Sequence, residues 1–262
     1  MESRRDAATT PSGPVPASRP RPLLELQGVG RSFGSKVVLK AASFPAEEGR
    51  ITALMGRNGA GKTTMFRIAV GRLRPDYGAV FLRGRFLARP TLALLAREGV
   101  MYSTQASALT RLFTVRDHFR AFMDTFGGES RFDGVVDEMR LGALLDRRPT
   151  RISGGERQRV SLGLALVREP ACLLMDEPFA GVAPADRPLV ARGLRLLRAQ
   201  GAAVVISGHD VEDVFSVSDQ ILWVTAGTTH WLGSPNEAAQ HDQFRREYLG
   251  PRVPGASLPG SL

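Results

Sequence analysis

Residues 56–63 read Gly56-Arg57-Asn58-Gly59-Ala60-Gly61-Lys62-Thr63, and no other stretch restricts the possible folds as strongly. This is a complete G-x-x-x-x-G-K-[ST] pattern, set between the apolar run of residues 51–55 and a helix-compatible segment, a context that makes it a nucleotide site. The glycines allow a tight turn that aims successive backbone N–H groups at phosphate oxygens, and a helix starting near Gly61 adds the positive end of its dipole. Lys62 supplies a point charge for the outer phosphates. Thr63 offers a hydroxyl to Mg²⁺, an ion that takes oxygen ligands together with the phosphates of its nucleotide.

Two further motifs narrow the chemistry. Ile152-Ser153-Gly154-Gly155-Glu156-Arg157-Gln158-Arg159 runs into an apolar pattern of helical period. Ser153 suits an N-cap, and two glycines behind a cap are poor helix formers, which points to close approach by a group that needs bare amides; an anionic phosphate fits. On its own, Ser-Gly-Gly is more often than not an ordinary turn. The run Ala171-Cys172-Leu173-Leu174-Met175 is short enough for a buried parallel strand and ends in Asp176-Glu177-Pro178. Side chains of adjacent strand residues point to opposite faces, so the two acids are expected to do different work. Asp176 is assigned to Mg²⁺, as for the acid ending such a strand in P-loop enzymes, and Glu177 to the attacking water. Without the loop at 56–63 the pair would read as a solvated acidic turn.

With these motifs in this order, followed by His209, the sequence resembles the ATP-binding subunit of ABC transporters over residues 23–250. The resemblance implies ATP and Mg²⁺ as ligands, with residues 58–64 (Asn58, Gly59, Ala60, Gly61, Lys62, Thr63, Thr64) cradling the triphosphate of one protomer. Ser153, Gly154, Gly155 and Glu156 of a second copy would cap it. Further roles are carried over with it: Phe33 looks like the aromatic that stacks on adenine, Gln105 like the glutamine that senses Mg²⁺ and the γ-phosphate, and His209 like the switch histidine. Read from the residues alone, Phe33 fits a core aromatic, Gln105 a surface amide and His209 a strand-end histidine. The stretch 176–182, Glu156 in the signature and the ending Arg246-Glu247-Tyr248-Leu249-Gly250 look most like the ATPases of lipopolysaccharide export, and those of branched-chain amino-acid importers are also similar. One departure stands out. Ala183 occupies the place where the family's D-loop usually has an aspartate that couples the two sites of a dimer, so hydrolysis is expected to persist, with coupling in question.

The fold expected is α/β: a P-loop NTPase of ABC type with a mainly parallel sheet core, an N-terminal antiparallel β subdomain and a helical subdomain at about 106–160. Residues 23–44 give short alternating segments, 78–83 a short strand, 189–200 a helix, and 203–207 and 221–225 buried strands, an alternation that argues for crossover connections. Val115, Phe119, Phe122, Met123 and Phe126 recur at helical spacing, a stripe read as core rather than interface, and 133–145 reads as a further helix. Residues 1–22 and 251–262, rich in Pro, Ser, Ala and Arg, are expected to be disordered extensions.

Composition bears on where such a chain works. No apolar run approaches the ~20 residues needed to span a bilayer, and the N-terminus lacks the apolar stretch of a secretory signal. Cys172 is the single cysteine, compatible with a reducing cytoplasm and read as a buried apolar residue. The net charge of +9 is carried almost wholly by arginine, with Lys36, Lys40 and Lys62 the only lysines, and is spread along the chain rather than gathered in a stripe. Nucleic acid is therefore not expected as a partner. The partners implied by the resemblance are a transmembrane permease subunit, received beside Leu109, Leu112 and Phe113, and a second ATPase subunit, either a homodimer mate or a paired chain. The place implied is the cytoplasmic face of the cell membrane. Two other readings stay open: a soluble ABC-type ATPase acting on ribosomes or nucleic acid, and a nucleotide-binding regulatory module of low turnover.

Overall fold

The computed structural model describes residues 22–104 and 109–250. The expected extensions fall outside these residues except for Pro22, and so does Gln105. In chain order the elements are β1 (Leu24–Phe33), β2 (Lys36–Ala46), β3 (Ile51–Met55), α1 (Lys62–Ala69), β4 (Tyr77–Leu82), β5 (Arg85–Phe86), α2 (Leu92–Arg97) and β6 (Val100–Ser103). Then come α3 (Val115–Phe126), α4 (Phe132–Glu138), α5 (Gly154–Arg168), β7 (Cys172–Met175), α6 (Arg187–Ala199) and β8 (Ala203–Gly208). The series ends with α7 (Val211–Val217), β9 (Gln220–Thr225), β10 (Thr228–Gly233), α8 (Pro235–Gln240) and a C-terminal turn from Asp242 to Leu249.

The strands join in the order β5-β4-β1-β2-β10-β9-β3-β8-β7-β6. Five of them, β9, β3, β8, β7 and β6, run parallel, and the short apolar runs read from the sequence are their buried core: β3, β7 and β8 have no residue outside the buried class. At the other end β1, β2, β4 and β5 pair antiparallel, as the alternation at 23–44 predicts. The two halves meet where β10 pairs with β2 at Thr228 and Ala41. Two apolar clusters pack on the sheet, and alternate residues of the parallel strands go to one or the other: Leu54, Leu174 and Val205 to the first, Ala53, Leu173 and Ile206 to the second. The first also takes Phe44 and Leu26 from the antiparallel strands and Phe66 from α1, while the second takes Phe119, Leu162 and Phe244 from the helices and the C-terminal turn.

Between β6 and β7 the described chain is helical. Thr114 starts α3 with a capping box closed by Asp117, and of the apolar stripe Val115 and Phe119 are fully buried, whereas Phe126 is exposed, with the Arg168 guanidinium 4.2 Å from its ring centroid. The helix expected over 133–145 ends at Glu138: Arg140 adopts a positive φ of 52° and a short 3₁₀ turn, Gly142–Leu144, replaces the rest. Cys172 is buried as read, and burial pushes its thiol up to about 12. Among the described residues no helix is long and apolar enough to cross a membrane.

Phe119 packs edge-on against Phe132 with centroids 5.3 Å apart and no exposed surface. Phe119→Ala is expected to cost about 3–5 kcal/mol of folding stability by leaving a cavity under α5; denaturant titration of the purified chain measures it.

Candidate functional site

The phosphate-binding loop leaves the fully buried β3 and enters α1 through Gly61, whose φ of 104° is left-handed and closed to most side chains. Space forbids them too: a Cβ there would stand 2.5 Å from Leu39 Cδ2 on β2. Gly61 has no side chain to cap α1, so the first-turn amides are not claimed by a local side-chain acceptor. Lys62 folds back over the loop, its ammonium donating to the Gly56 carbonyl at 2.7 Å and to that of Arg57 at 3.3 Å. Burial pulls its pKa below the usual lysine range, with Glu177 and Asp176 acting in the opposite sense.

Opposite Lys62, three strand and helix ends converge on one carboxylate. Thr63 Oγ1 donates to Asp176 Oδ2 at 2.7 Å, and Ser207 Oγ donates to Asp176 Oδ1. The same Ser207 hydroxyl accepts from the Glu177 amide at 2.9 Å. Pairing of Met175 with Ile206 across β7 and β8 places Asp176 alongside Ser207. The two acids do diverge, but for a reason other than strand alternation: β7 ends at Met175, and Glu177 takes a left-handed φ of 50°. A non-glycine residue held there is strained and persists only where its surroundings fix it. Glu177 Oε1 reaches within 3.6 Å of His209 Nδ1, and a cleft of about 300 Å³ is lined by Asn58, Glu177, His209 and Arg187. Asn58, Gly59 and Thr64 remain solvent-accessible along the loop, with Ala60 half-buried against β2.

Ser153 stands at the start of α5. It caps α5 as expected, accepting from the Glu156 amide at 3.1 Å, while its own amide donates to the Glu156 carboxylate at 2.6 Å. The capping box accounts for Glu156. The glycines behind it face their own chain: a Cβ on Gly154 would meet the Gly181 carbonyl at 2.9 Å, and one on Gly155 the Asp186 carboxylate at 2.8 Å. Asp186 is held in turn by Arg159, Nε to Oδ1 3.3 Å, a buried arginine that also donates to the Met139 and Arg140 carbonyls. Ala183 is exposed on the loop between.

Phe33 ends β1 and is 47% exposed, with the Arg31 guanidinium 5.0 Å from its ring centre, so it is not a core residue. Leu112 and Phe113 are also exposed, at 74% and 55%, whereas Leu109 packs into the core. The parts played by Ser207 and Arg159 were not legible from their places in the sequence. A hydroxyl at the end of the apolar run 203–206 and an arginine inside an otherwise apolar helix face were the available signals.

A glycine-turned loop at a helix N-terminus, its lysine, and a hydroxyl–carboxylate pair beside a strained glutamate define a P-loop nucleoside-triphosphate hydrolase. The chain belongs to the ABC transporter family, whose model matches residues 39–180. It is 34% identical to the lipopolysaccharide export system ATP-binding protein LptB of Acidithiobacillus ferridurans, over 87% of this chain and 97% of that one. To LptB of Escherichia coli (strain K12) it is 32% identical with the same coverage. A solved ATP-binding subunit of an ABC transporter superimposes with a TM-score of 0.72 at 25% identity, covering 90% of this chain and 95% of the other. This protein is thus an ATP-binding subunit, an ATPase that energises membrane transport.

Removing the Ser207 hydroxyl leaves Asp176 with one donor fewer and frees the Glu177 amide. Hydrogen bonds to charged groups contribute about 1.5–3 kcal/mol, so Ser207→Ala is expected to lower ATP turnover by roughly 10- to 100-fold. Steady-state phosphate release checks this.

Proposed function

We propose that two ATPase subunits close head to tail around two ATP molecules and are released when these are split, the cycle being passed to a transmembrane permease at the cytoplasmic membrane face. The observation that carries this reading is the hydrogen-bonded chain Thr63–Asp176–Ser207–Glu177, which fixes a hydroxyl, a carboxylate and a catalytic acid beside the phosphate loop. Residues 58–64 hold the triphosphate, with Lys62 exchanging loop carbonyls for phosphate oxygens and Phe33 offering its ring to adenine. Glu177 orients the attacking water and His209, beside it, contacts the γ-phosphate. Gln105, which lies outside the described residues, is assigned the sensing of metal and γ-phosphate.

Thr63 and Asp176 suit a hard divalent ion that keeps water and phosphate as its remaining ligands, since among the described residues no cage of three His, Cys, Asp or Glu is gathered. Bound there, Mg²⁺ would neutralise charge on the phosphates during transfer. Ser153, Gly154 and Gly155 do not line the cleft of their own chain but abut the loop at its rim, where Gly181 stands against Gly154, and a helix start so placed supports their capping the nucleotide of a second copy. Exposed Leu112 and Phe113 are the surface assigned to the permease, and the relatives named for lipopolysaccharide export support a permease of that general kind.

Ala183 sets the departure in this scheme. Asp186, three residues on, does not substitute for the missing acid, because its carboxylate is turned inward to Arg159. Turnover is retained through Lys62, Asp176, Glu177 and His209.

Glu177→Gln is expected to trap an ATP-bound dimer, whereas Lys62→Ala weakens nucleotide retention by at least tenfold, about 1.4 kcal/mol; size-exclusion chromatography with Mg-ATP separates the two, and equal dimerisation in both would refute the roles. Ala183→Asp is expected to raise turnover by a few-fold in the presence of the permease. A purified complex that binds ATP without releasing phosphate would overturn the hydrolytic assignment.

A further inference from the structure

The last described segment of the chain returns to the nucleotide loop. Phe244 anchors it, fully buried, with its ring 5.6 Å from that of Trp223 at 70° and 5.0 Å from that of Tyr248 at 17°, the latter a stacked pair. The π turn Arg245–Leu249 then carries Tyr248 across the ends of two neighbouring parallel strands. Its hydroxyl donates to the His209 carbonyl at 3.1 Å, and the Gly56 backbone lies near the same phenol. Arg57 secures the turn from the other side, Nη2 donating to the Glu247 carbonyl at 3.1 Å.

The positions bridged are informative. Strands β3 and β8 pair in parallel up to Met55 and Gly208, and Gly56 and His209 are the next residue on each. Backbone pairing stops there because the loops diverge, one to wrap a phosphate and the other to present an imidazole. The phenol meets the backbone just beyond this last pair, on the His209 side, while Arg57 holds the same turn from the loop side.

We propose that Tyr248 is a positioning residue for ATP hydrolysis, its hydroxyl holding the backbone of His209 at a fixed offset from the phosphate-binding loop. It touches no reacting atom and acts through His209, whose imidazole stands 3.6 Å from Glu177; the inference rests on the roles given to those two residues above. Burial pushes the phenol up to about 12, so it stays a donor throughout the neutral range.

Tyr248→Phe keeps the ring stacked on Phe244 and removes only the bridge. In the full chain assembled with its permease, kcat is expected to fall about 3- to 10-fold, the effect of one hydrogen bond. KM for ATP should stay within about twofold and the thermal midpoint should not move. In a His209→Ala background the same exchange should leave residual turnover unchanged, since the route through the imidazole is already lost. The proposal is overturned by wild-type kcat in Tyr248→Phe, by a kcat loss that tracks a lowered thermal midpoint, or by a full multiplicative loss in the His209→Ala background. An inactive His209→Ala beside a fully active Tyr248→Phe defeats this proposal alone. A fully active His209→Ala defeats the role of the histidine, and this proposal with it.

Discussion

One carboxylate organises the centre of this molecule. Asp176 accepts hydrogen bonds from the hydroxyls of Thr63 on α1 and of Ser207 near the end of β8, so a helix and two strands that are far apart in sequence are fixed to a single pair of oxygens. Hydrogen bonds to an ionised acceptor are about twice as strong as neutral ones, and burial of Asp176 removes competing water. Parallel strands make this possible. Their C-terminal ends lie side by side, so every loop that leaves them starts from the same edge, and chemistry collects there.

How far the sequence discloses such a centre depends on the range of the interactions. The loop at 56–63 and the cap at Ser153 were legible because their causes are local: a glycine that must turn, a lysine next to it, a hydroxyl three residues ahead of a glutamate. The buried strands were legible as apolar runs. Ser207 was not, because its role exists only through the β7–β8 register that sets Asp176 beside it. Strand β10 escaped for a related reason: Thr228, Thr229, His230 and Trp231 are not apolar enough to announce a strand, and it is pairing with β9 that makes them one. The glycines after Ser153 show a different lesson, since neighbours within the chain already require them whatever ligand approaches.

The arginine excess has a structural counterpart. Arg159 pairs with Asp186, Arg187 with Asp210 and Asp213, Arg198 with Asp219, and Arg192 with Glu138, each pair tying neighbouring elements together. Most are partly exposed and contribute little individually, about 0–1 kcal/mol. Arg159 differs in being buried with its fork spread over two carbonyls and a carboxylate, which joins the start of α5 to the turn ahead of α6.

The narrow junction between the two halves of the sheet has a mechanical meaning. Where β10 meets β2 the register is a single pair, Thr228 with Ala41, helped by the Gly227 carbonyl accepting from Lys40 and Ala41 and by Thr229 Oγ1 accepting from the Ser43 amide. Everywhere else along the parallel half, neighbouring strands share four or five consecutive pairs. Where the ladder is thinnest the load passes to the apolar cluster beneath it, in which Leu26, Leu39 and Phe44 of the antiparallel strands pack with Leu54, Cys172 and Leu222 of the parallel ones, so that the leaf carrying Phe33 is bonded to the rest of the molecule by side chains more than by backbone.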